Sequence, residues 1–469
     1  MNDFNTMRFL KRFNLTNLSV YLYLTIFIYL FCYTFYRAEF IHSGNQFSYY
    51  FKYYLIFIFG IFFWFSVLFF KKKLQIVIIA TILFFLLYFY ETIVFFTPSI
   101  LKLSIMKSIN KETLIRSQLG EKTKYDVIQD LKKSKNIDVV PSIIPKVFLG
   151  KKWINGGTDI FPLGGVSNTM TVFCKEGEEI SIYKSDRHGF NNPDQEWDNE
   201  KVFWFLIGDS FVQGWCVQPG EDFASQIRLL TKQSAINLGM SSNGPLIELA
   251  SLKEYGLKKK PKIVLWFYFE RNDLEDLKTE KSNSILMKYL NEDFTQNLYS
   301  KQLEIDKKLK IYIRFAEKEL QKEIFVTKKN SEKFLTFKKI IRLQILRDKM
   351  ALDRGLDFGI DPLFEKIMID AKDFVNRWDG KLYFVYLPDK ERYANKKVKD
   401  DYYLKRSQII ELIDNLNIPL IDIHKEFFMN QTDPISFFAH RIYGHYGPEG
   451  YFEISKVIIK NINDIINDK

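Results

Sequence analysis

Residues 202–214 have the sequence VFWFLIGDSFVQG, in which an unbroken apolar run leads into Gly208, Asp209 and Ser210. An apolar run of this length is typical of a strand that is buried on both faces of a parallel sheet. The following glycine, acid and serine would lie where the strand turns into a helix, so the Ser210 hydroxyl is expected at the open edge of the sheet. A serine there can act as a nucleophile, or it can simply cap the helix.

The same alternation continues toward the C-terminus. The apolar runs AINLGM, KIVLWFYF, KLYFVYLP and PLIDIH alternate with amphipathic stretches that have helical spacing. Strands that alternate with helices predict an α/β fold whose parallel sheet is covered by helices on both faces. The Lys- and Glu-rich residues 278–360 interrupt the pattern, and we expect a helical insertion that covers one edge of the sheet. It could be a lid, a docking surface or packing.

Three further positions carry groups suited to ester chemistry. Gly239 follows the second apolar run, and its backbone N–H can approach a substrate oxygen closely because glycine has no side chain. Asn272 follows the third run and can donate to the same oxygen. His445 lies in a loop just before the last helix, where an imidazole could reach Ser210 as a base.

Taken in this order, the four positions resemble the SGNH (GDSL-type) hydrolases, whose sequence blocks supply Ser, Gly, Asn and His. The resemblance covers residues 201–469 and implies a flavodoxin-like three-layer α/β sandwich that hydrolyses or transfers ester-linked acyl groups, with no cofactor and no metal. It implies that Ser210 is the nucleophile and His445 the general base and acid. The Ser210 and Gly239 N–H groups and the Asn272 side chain would form the oxyanion hole.

Two departures from the family pattern affect the expected site. Many members place the triad acid three residues before the histidine, where this chain has Ile442. Asp433 is the predicted acid, although a backbone carbonyl could instead orient His445. Related membrane-anchored bacterial members usually have glycine where this chain has Arg271, whose guanidinium could favour an anionic substrate or partly fill the site. Residues that flank the site are also predicted to contact substrate, namely Asp209, Asn243, Arg271 and Asp273.

Three apolar runs near the N-terminus, at residues 18–36, 53–70 and 74–96, are each long enough to cross a hydrocarbon layer of about 30 Å. They lack a polar face, which argues against soluble amphipathic helices. Basic residues precede the first run and separate the second from the third, at Lys71, Lys72 and Lys73, whereas the loop between the first two runs is less basic. The positive-inside bias predicts a bacterial inner-membrane protein with a cytoplasmic N-terminus and a periplasmic C-terminal part.

The remaining boundaries follow from changes in composition. Residues 1–98 would be the membrane anchor, 99–140 a helical stalk, and 141–200 a small glycine-rich β or irregular module packed on the domain at 201–469. That module contains the PLGG and GFNNPD segments that the membrane-anchored members also carry upstream of this domain. In an oxidising compartment Cys174 and Cys216 could form a disulfide or remain thiols.

The composition excludes several other classes of function. The net charge of +11 is spread over 67 basic and 56 acidic residues without an arginine-rich block or a zinc finger, so nucleic acid is not an expected partner. The sequence predicts a membrane-anchored periplasmic esterase that removes acyl groups, most simply O-acetyl groups, from a cell-envelope or exported glycan. The bilayer and the acylated glycan are the expected partners. The alternatives are an O-acyltransferase that uses the same residues, and an inactive scaffold or glycan-binding protein.

Overall fold

The computed structural model describes residues 2–41, 47–93, 124–135, 138–150, 160–175, 180–327, 339–350, 352, 360–394 and 405–467. The chain divides into two compact units. The first, which we call the anchor unit, comprises Met1–Glu121 and Lys322–Phe358. The second, the sheet unit, comprises Lys122–Gln321 and Gly359–Lys469.

The anchor unit contains three long helices, α1 (Asn2–Tyr36, followed by the π-helical turn Arg37–Ile41), α2 (Phe47–Val67) and α3 (Lys73–Ile93). The segments Thr16–Glu39, Tyr50–Val67 and Lys73–Ile93 are long and apolar enough to span a membrane. The three predicted runs are thereby confirmed as apolar helices, with residues 94–96 of the third run outside the described residues. Most of their large apolar side chains are exposed, as expected for surfaces that face lipid.

Part of the predicted insertion belongs to the anchor unit. The carboxylate of Glu91, near the end of α3, is fully buried and accepts the N–H groups of Ile345 and Leu346 at 2.7 and 3.0 Å. The Arg347 Nε donates to the Tyr53 hydroxyl at 2.8 Å. The expectation that residues 278–360 as a whole cover one edge of the sheet therefore needs correction, because residues from 322 onward group with the anchor.

The sheet unit is built on a five-stranded parallel sheet, which confirms the predicted α/β class. Its strands are β4 (Trp204–Ile207), β5 (Ala235–Asn237), β6 (Ile263–Phe269), β7 (Lys381–Leu387) and β8 (Leu420–Asp422). All pairings are parallel, and the order β5-β4-β6-β7-β8 is the flavodoxin-like order in which the second strand precedes the first. In such a sheet the site forms beyond the carboxyl ends of the strands, which is where Ser210 lies.

Alternate side chains of each strand enter two separate apolar cores, one on each face of the sheet. On β6, for example, Val264, Trp266 and Tyr268 enter one core, while Leu265 and Phe267 enter the other. All seven residues of β6 are buried, because helices cover both faces. This double burial is the reason that the strands appear in the sequence as unbroken apolar runs.

Helices α4 to α16 belong to the sheet unit, except that α10 continues into the anchor unit and α11 lies within it. Their bounds are α4 (Lys124–Lys135), α5 (Ser210–Gln213), α6 (Phe223–Thr231), α7 (Pro245–Lys259), α8 (Asp273–Glu280), α9 (Ser284–Lys288), α10 (Gln302–Thr327), α11 (Gln344–Lys349), α12 (Pro362–Asn376), α13 (Glu391–Ala394), α14 (Arg406–Asn415), α15 (Ile423–Glu426) and α16 (Pro448–Asn467). Short 3-10 helices lie at Pro145–Leu149, Asp194–Asp198, Leu298–Ser300, Phe428–Asn430, Pro434–Phe437 and Ala439–Arg441. Leu286, Leu298 and Leu309 from the first part of the insertion are fully buried in one of the two cores.

A second, three-stranded sheet precedes β4. It consists of β1 (Val139–Pro141), β2 (Met170–Lys175) and β3 (Ile180–Lys184), with β1 parallel and β3 antiparallel to β2. Most of the predicted module at 141–200 is made of this sheet and its loops. The predicted stalk at 99–140 lies largely outside the described residues, which include its helix α4 and the start of β1.

Candidate active site

The turn after β4 holds Ser210 at the start of α5. The Asp209 carboxylate caps this short helix by accepting the Phe211 N–H at 2.9 Å. Gly208 is required by packing, because a Cβ there would lie 2.5 Å from the Val212 Cγ2 atom. The turn therefore directs the hydroxyl of Ser210, which is nearly buried, to the carboxyl edge of the sheet.

The structure places His445 beside Ser210, although the two residues are 235 positions apart in sequence. The Ser210 Oγ and the His445 Nε2 are 2.8 Å apart, which is a hydrogen-bond distance. The imidazole packs against two rings, those of Phe211 at 4.6 Å and Trp215 at 5.0 Å between centroids, and the Trp215 ring is nearly parallel to it. The hydroxyl and the base predicted from the sequence are thus brought together, with aromatic rings that restrict the orientation of the imidazole.

The three predicted oxyanion donors differ in what they already bind. Among the described residues no acceptor faces the N–H of Ser210. The Gly239 N–H donates to the Asn237 Oδ1 at 2.7 Å. The Asn272 Nδ2 donates to the Asp276 Oδ2 at 2.8 Å and more weakly to the Asp209 Oδ2 at 3.3 Å. The side chain of Asn272 is next to the nucleophile turn, but its amide hydrogens are directed to carboxylates.

A glycine at position 239 is needed for steric reasons. A Cβ there would lie 2.5 Å from the Gln213 backbone N and 2.6 Å from the Val212 Cβ, both in α5. Since α5 carries Ser210, any larger residue would push the nucleophile helix away from β5. The sequence prediction singled out Gly239 for its approach to substrate, and the structure adds this close approach to α5.

Five carboxyl groups are buried together behind the site, on Asp209, Glu248, Asp273, Asp276 and Glu280. Burial is the main reason that the pKa of each is raised, and their mutual repulsion adds to the effect. The raised pKa values mean that each group holds its proton to a higher pH than an exposed carboxyl group does. Among the described residues, no three His, Cys, Asp or Glu side chains are placed to hold a metal ion together.

Two cluster members have strong partners. The ammonium group of Lys146 pairs with the Asp276 carboxylate. The Glu280 carboxylate accepts the N–H groups of Gly244 and Leu246, at the N-terminus of α7, at 2.6 and 2.9 Å. Its pKa is nevertheless raised to about 8, because the cost of burial outweighs these hydrogen bonds.

The structure gives the predicted triad acid a different partner. Both oxygens of Asp433 accept from the Arg441 guanidinium, at 2.6 and 3.1 Å, in a solvent-exposed ion pair. This ion pair lowers the pKa of Asp433. An exposed carboxylate that is held by an arginine is a poor candidate for orienting an imidazole, so the role of Asp433 as the acid stays a prediction.

Of the four residues predicted to contact substrate, only Arg271 is exposed. Asp209, Asn243 and Asp273 are almost fully buried. Neither amide atom of Asn243 has a hydrogen-bond partner among the described residues. The Arg271 guanidinium pairs with the buried Asp389 carboxylate at 2.5 Å, which keeps it beside Asn272. Burial therefore favours supporting roles for the other three residues.

A buried ion pair that the sequence analysis missed supports the histidine loop. The Glu270 carboxylate, at the end of β6, accepts from the Arg392 guanidinium at 2.5 Å and from the Asp389 N–H at 2.6 Å. These contacts fix the loop after β7, whose Lys390 donates to the Ile442 carbonyl, three residues before His445, at 2.6 Å. The sequence signal for this ion pair was the position of Glu270 directly after an apolar strand, but its partner Arg392 lies 122 residues later in the chain.

Cys174 and Cys216 are joined by a disulfide. Cys174 lies in β2 and Cys216 follows α5, with their Cα atoms 5.3 Å apart. The residues directly before them, Phe173 and Trp215, are in ring contact at 5.4 Å between centroids. The small sheet is therefore covalently linked to the segment whose Trp215 packs on the imidazole of His445.

No protein-family profile and no curated protein sequence matches the chain. Solved structures do match, among them a lipolytic protein of the G-D-S-L family from Desulfitobacterium hafniense DCB-2, which is 11% identical with a TM-score of 0.31 and covers 56% of this chain and 99% of its own. The acetyl xylan esterase AlAXEase is 14% identical with a TM-score of 0.31, over 55% and 98% of the two chains. The psychrotrophic esterase EstA from Pseudoalteromonas sp. is 9% identical with a TM-score of 0.30, over 57% and 100%. One of these matched structures is thus described as a member of the G-D-S-L family, which is the family that the sequence was predicted to resemble.

Proposed function

We propose that the protein is a membrane-anchored SGNH-type serine esterase. The observation that carries the proposal is the 2.8 Å hydrogen bond between the Ser210 Oγ and the His445 Nε2, at the carboxyl edge of a flavodoxin-like sheet. A hydroxyl that is bonded to an imidazole and lies at a helix N-terminus has both a base to take its proton and an N–H group to stabilise the oxyanion that its attack creates.

The reaction takes two steps. In the first, the imidazole of His445 removes the proton of Ser210, and the Oγ atom attacks the ester carbonyl carbon. The imidazolium then gives its proton to the leaving alcohol as the carbon–oxygen bond of the ester breaks, which leaves an acyl-enzyme. In the second, His445 deprotonates a water molecule that attacks the acyl carbon. The bond between that carbon and the Ser210 Oγ then breaks, the imidazolium returns its proton to the Oγ atom, and the carboxylic acid leaves.

The oxyanion would be stabilised by donors of unequal availability. The Ser210 N–H is ready to donate. The Asn272 amide would have to exchange its long 3.3 Å contact with Asp209 for the substrate oxygen, while it keeps the shorter one with Asp276. The Gly239 N–H would have to share its hydrogen between Asn237 and the substrate. Each donor that must exchange partners adds less to the rate than one that is already free.

The anchor suggests where the substrate lies. Three apolar helices are long enough to tether the enzyme to a membrane. The positive charges of Lys71, Lys72 and Lys73 favour a cytoplasmic loop, which would leave the sheet unit in the periplasm. The disulfide suits an oxidising compartment of this kind. A tethered periplasmic esterase is suited to a polymer of the cell envelope, so the proposed substrate is an acylated envelope or exported glycan, with acetyl as the smallest acyl group considered.

The test uses the full chain in lipid nanodiscs with p-nitrophenyl acetate. We expect Ser210-dependent hydrolysis that Ser210→Ala reduces at least about 10³-fold. Ser282→Ala, which removes an exposed hydroxyl, serves as the matched control and should leave the rate unchanged. Equal rates for the wild-type protein and Ser210→Ala would disprove the proposed function.

A further inference from the structure

A cavity of about 330 Å³ in the sheet unit has walls from five parts of the chain. The segment just after β1 contributes the aliphatic side chains of Ile143, Ile144 and Val147. Three further walls are aromatic, namely Phe173 of β2, Trp215 after α5 and Tyr312 of the helical insertion. Most of this lining comes from residues outside the four sequence blocks of the proposed active site.

The cavity shares a wall with the proposed catalytic groups. The Trp215 ring lies nearly parallel to the His445 ring, with 5.0 Å between their centroids. The backbone N–H of Trp215 donates to the Ser210 carbonyl at 3.0 Å. Ser241, which also lines the cavity, comes two residues after Gly239. The cavity therefore adjoins the proposed catalytic groups, with the Trp215 ring as the wall that it shares with His445.

The cavity has little to offer a polar ligand. Its two serine hydroxyls are already used within the protein, since the Ser241 Oγ donates to the Gln213 Oε1 at 2.6 Å and the Ser142 Oγ accepts from the Gln213 Nε2 at 3.4 Å. No charged side chain is among its described lining residues. The remaining polar side-chain groups of the lining are the Tyr312 hydroxyl and the Trp215 indole N–H. A sugar ring could replace only part of its hydrogen bonds to water here, whereas a hydrocarbon chain would gain by leaving water.

We propose that this cavity binds an acyl chain longer than acetyl, on the order of four to eight carbons, while the alcohol portion of the ester stays outside. The inference rests on the proposed function and names the acyl group that the esterase prefers. The aliphatic segment at 143–147 and the aromatic ring of Trp215 would hold the chain, and the ester carbonyl would lie at Ser210.

The disulfide fits this role. It connects the residues next to Phe173 and Trp215, which are both cavity walls and are in contact with each other. The covalent link therefore fixes the position of one aromatic wall relative to the nucleophile helix. A pocket that selects chain length requires walls that do not separate when a longer chain enters.

The first experiment measures kcat/KM for p-nitrophenyl esters of two, four, six and eight carbons with the full chain in nanodiscs. We expect a rise of roughly two- to fourfold per methylene up to the preferred length. Val147→Trp, which fills the cavity, should abolish the rise. Ile311→Trp adds the same side chain at an exposed position next to Tyr312 and should retain the rise.

The second experiment measures binding without turnover. Hexanoate and acetate are titrated into the Ser210→Ala chain by calorimetry, and we expect hexanoate to bind at least about tenfold more tightly, a preference that Val147→Trp removes. If Ser210-dependent hydrolysis occurs without a chain-length preference, or if Val147→Trp keeps that preference, the inference is overturned and the proposed function stands. If no ester is hydrolysed, the proposed function fails, and equal binding of the two carboxylates would overturn the inference separately.

Discussion

The groups on the two sides of Ser210 differ in whether they already make the contacts that the proposed reaction needs. On one side the hydroxyl is bonded to the His445 imidazole at 2.8 Å, and two aromatic rings pack against that imidazole. On the other side the hydrogens of Asn272 and Gly239 are bonded to oxygens of the protein itself. We call these the base side and the oxyanion side.

The difference shows what each side requires before substrate arrives. A base must be in hydrogen-bond contact with its nucleophile, and aromatic packing can achieve this without using the polar groups of the imidazole. Oxyanion donors are polar groups at the edge of a buried acidic cluster, where an unbonded N–H would cost free energy. Two of the three proposed donors, on Asn272 and Gly239, therefore bond to Asp276 and Asn237, and substrate must compete for them. The comparison predicts a large loss on the base side and a smaller one on the oxyanion side.

The largest expected effect is the loss of the base. His445→Gln removes the proton acceptor and should lower kcat for p-nitrophenyl acetate by about 10³–10⁴-fold. His440→Gln alters an exposed histidine five residues earlier and should leave kcat unchanged. The measurement is the initial rate at saturating ester. A loss of less than tenfold would mean that the observed contact between Ser210 and His445 is not used in catalysis.

On the oxyanion side, Asn272→Ala removes a donor that already has other partners. We expect kcat to fall by about 10²-fold, at the lower end of the range for a dedicated oxyanion donor, with little change in KM. Asn291→Ala removes an exposed amide and serves as the control. A rise in KM with unchanged kcat would instead assign Asn272 to ground-state binding and would remove the proposed difference between the two sides.

The base side also shows what can be inferred from sequence. Ser210, Gly239 and Asn272 could be selected because each follows an apolar run, and parallel strands bring such positions to one edge. His445 could be selected because it lies in the loop just before the last helix. The same reasoning predicted the strands themselves, since double burial leaves unbroken apolar runs. These are local patterns that repeat along the chain.

Long-range partners could not be found in this way. The pairing of Glu270 with Arg392 joins residues 122 positions apart, and the contact between the Asn272 amide and Asp209 joins residues 63 positions apart. The role of Trp215 was missed because an aromatic residue after a short helix has no distinctive pattern. The split of the insertion was missed because its charged, helical spacing is the same in both units. Spacing predicts which edge a residue reaches, and packing decides its partners.

The third prediction concerns the covalent support of the base side. Cys174→Ser combined with Cys216→Ser should destabilise the sheet unit by roughly 2–4 kcal/mol, because the bond closes a loop of 42 residues in the unfolded chain. Thermal unfolding of the full chain in nanodiscs, followed by tryptophan fluorescence, measures the change. Cys32→Ser changes the remaining cysteine, which is in a membrane span, and should leave the transition unchanged. An unchanged transition in the double variant would mean that the disulfide does not support the unit.

The smallest expected effect comes from the acidic cluster behind the oxyanion side. Burial raises the pKa of Glu280 to about 8 from an ordinary value of 4.5, so the folded protein holds this proton more tightly than the unfolded chain does. The stability that this proton contributes is fully present below about pH 4.5 and is lost as the pH rises toward 8. The free energy of unfolding should therefore decline across this range.

Glu280→Gln keeps an oxygen for the N–H groups of Gly244 and Leu246 and removes the titration. Between pH 5 and 8, we expect the free energy of unfolding to decline by about 1–2 kcal/mol less in the variant than in the wild-type protein. The other members of the cluster account for the decline that is left. Glu292→Gln, at an exposed ion pair with Arg377, should leave the decline as it is in the wild-type protein. An equal decline in Glu280→Gln and the wild-type protein would show that Glu280 is already ionised at pH 5, as the hydrogen bonds from the Gly244 and Leu246 N–H groups would favour. The oxyanion side would then carry more negative charge than its burial suggests.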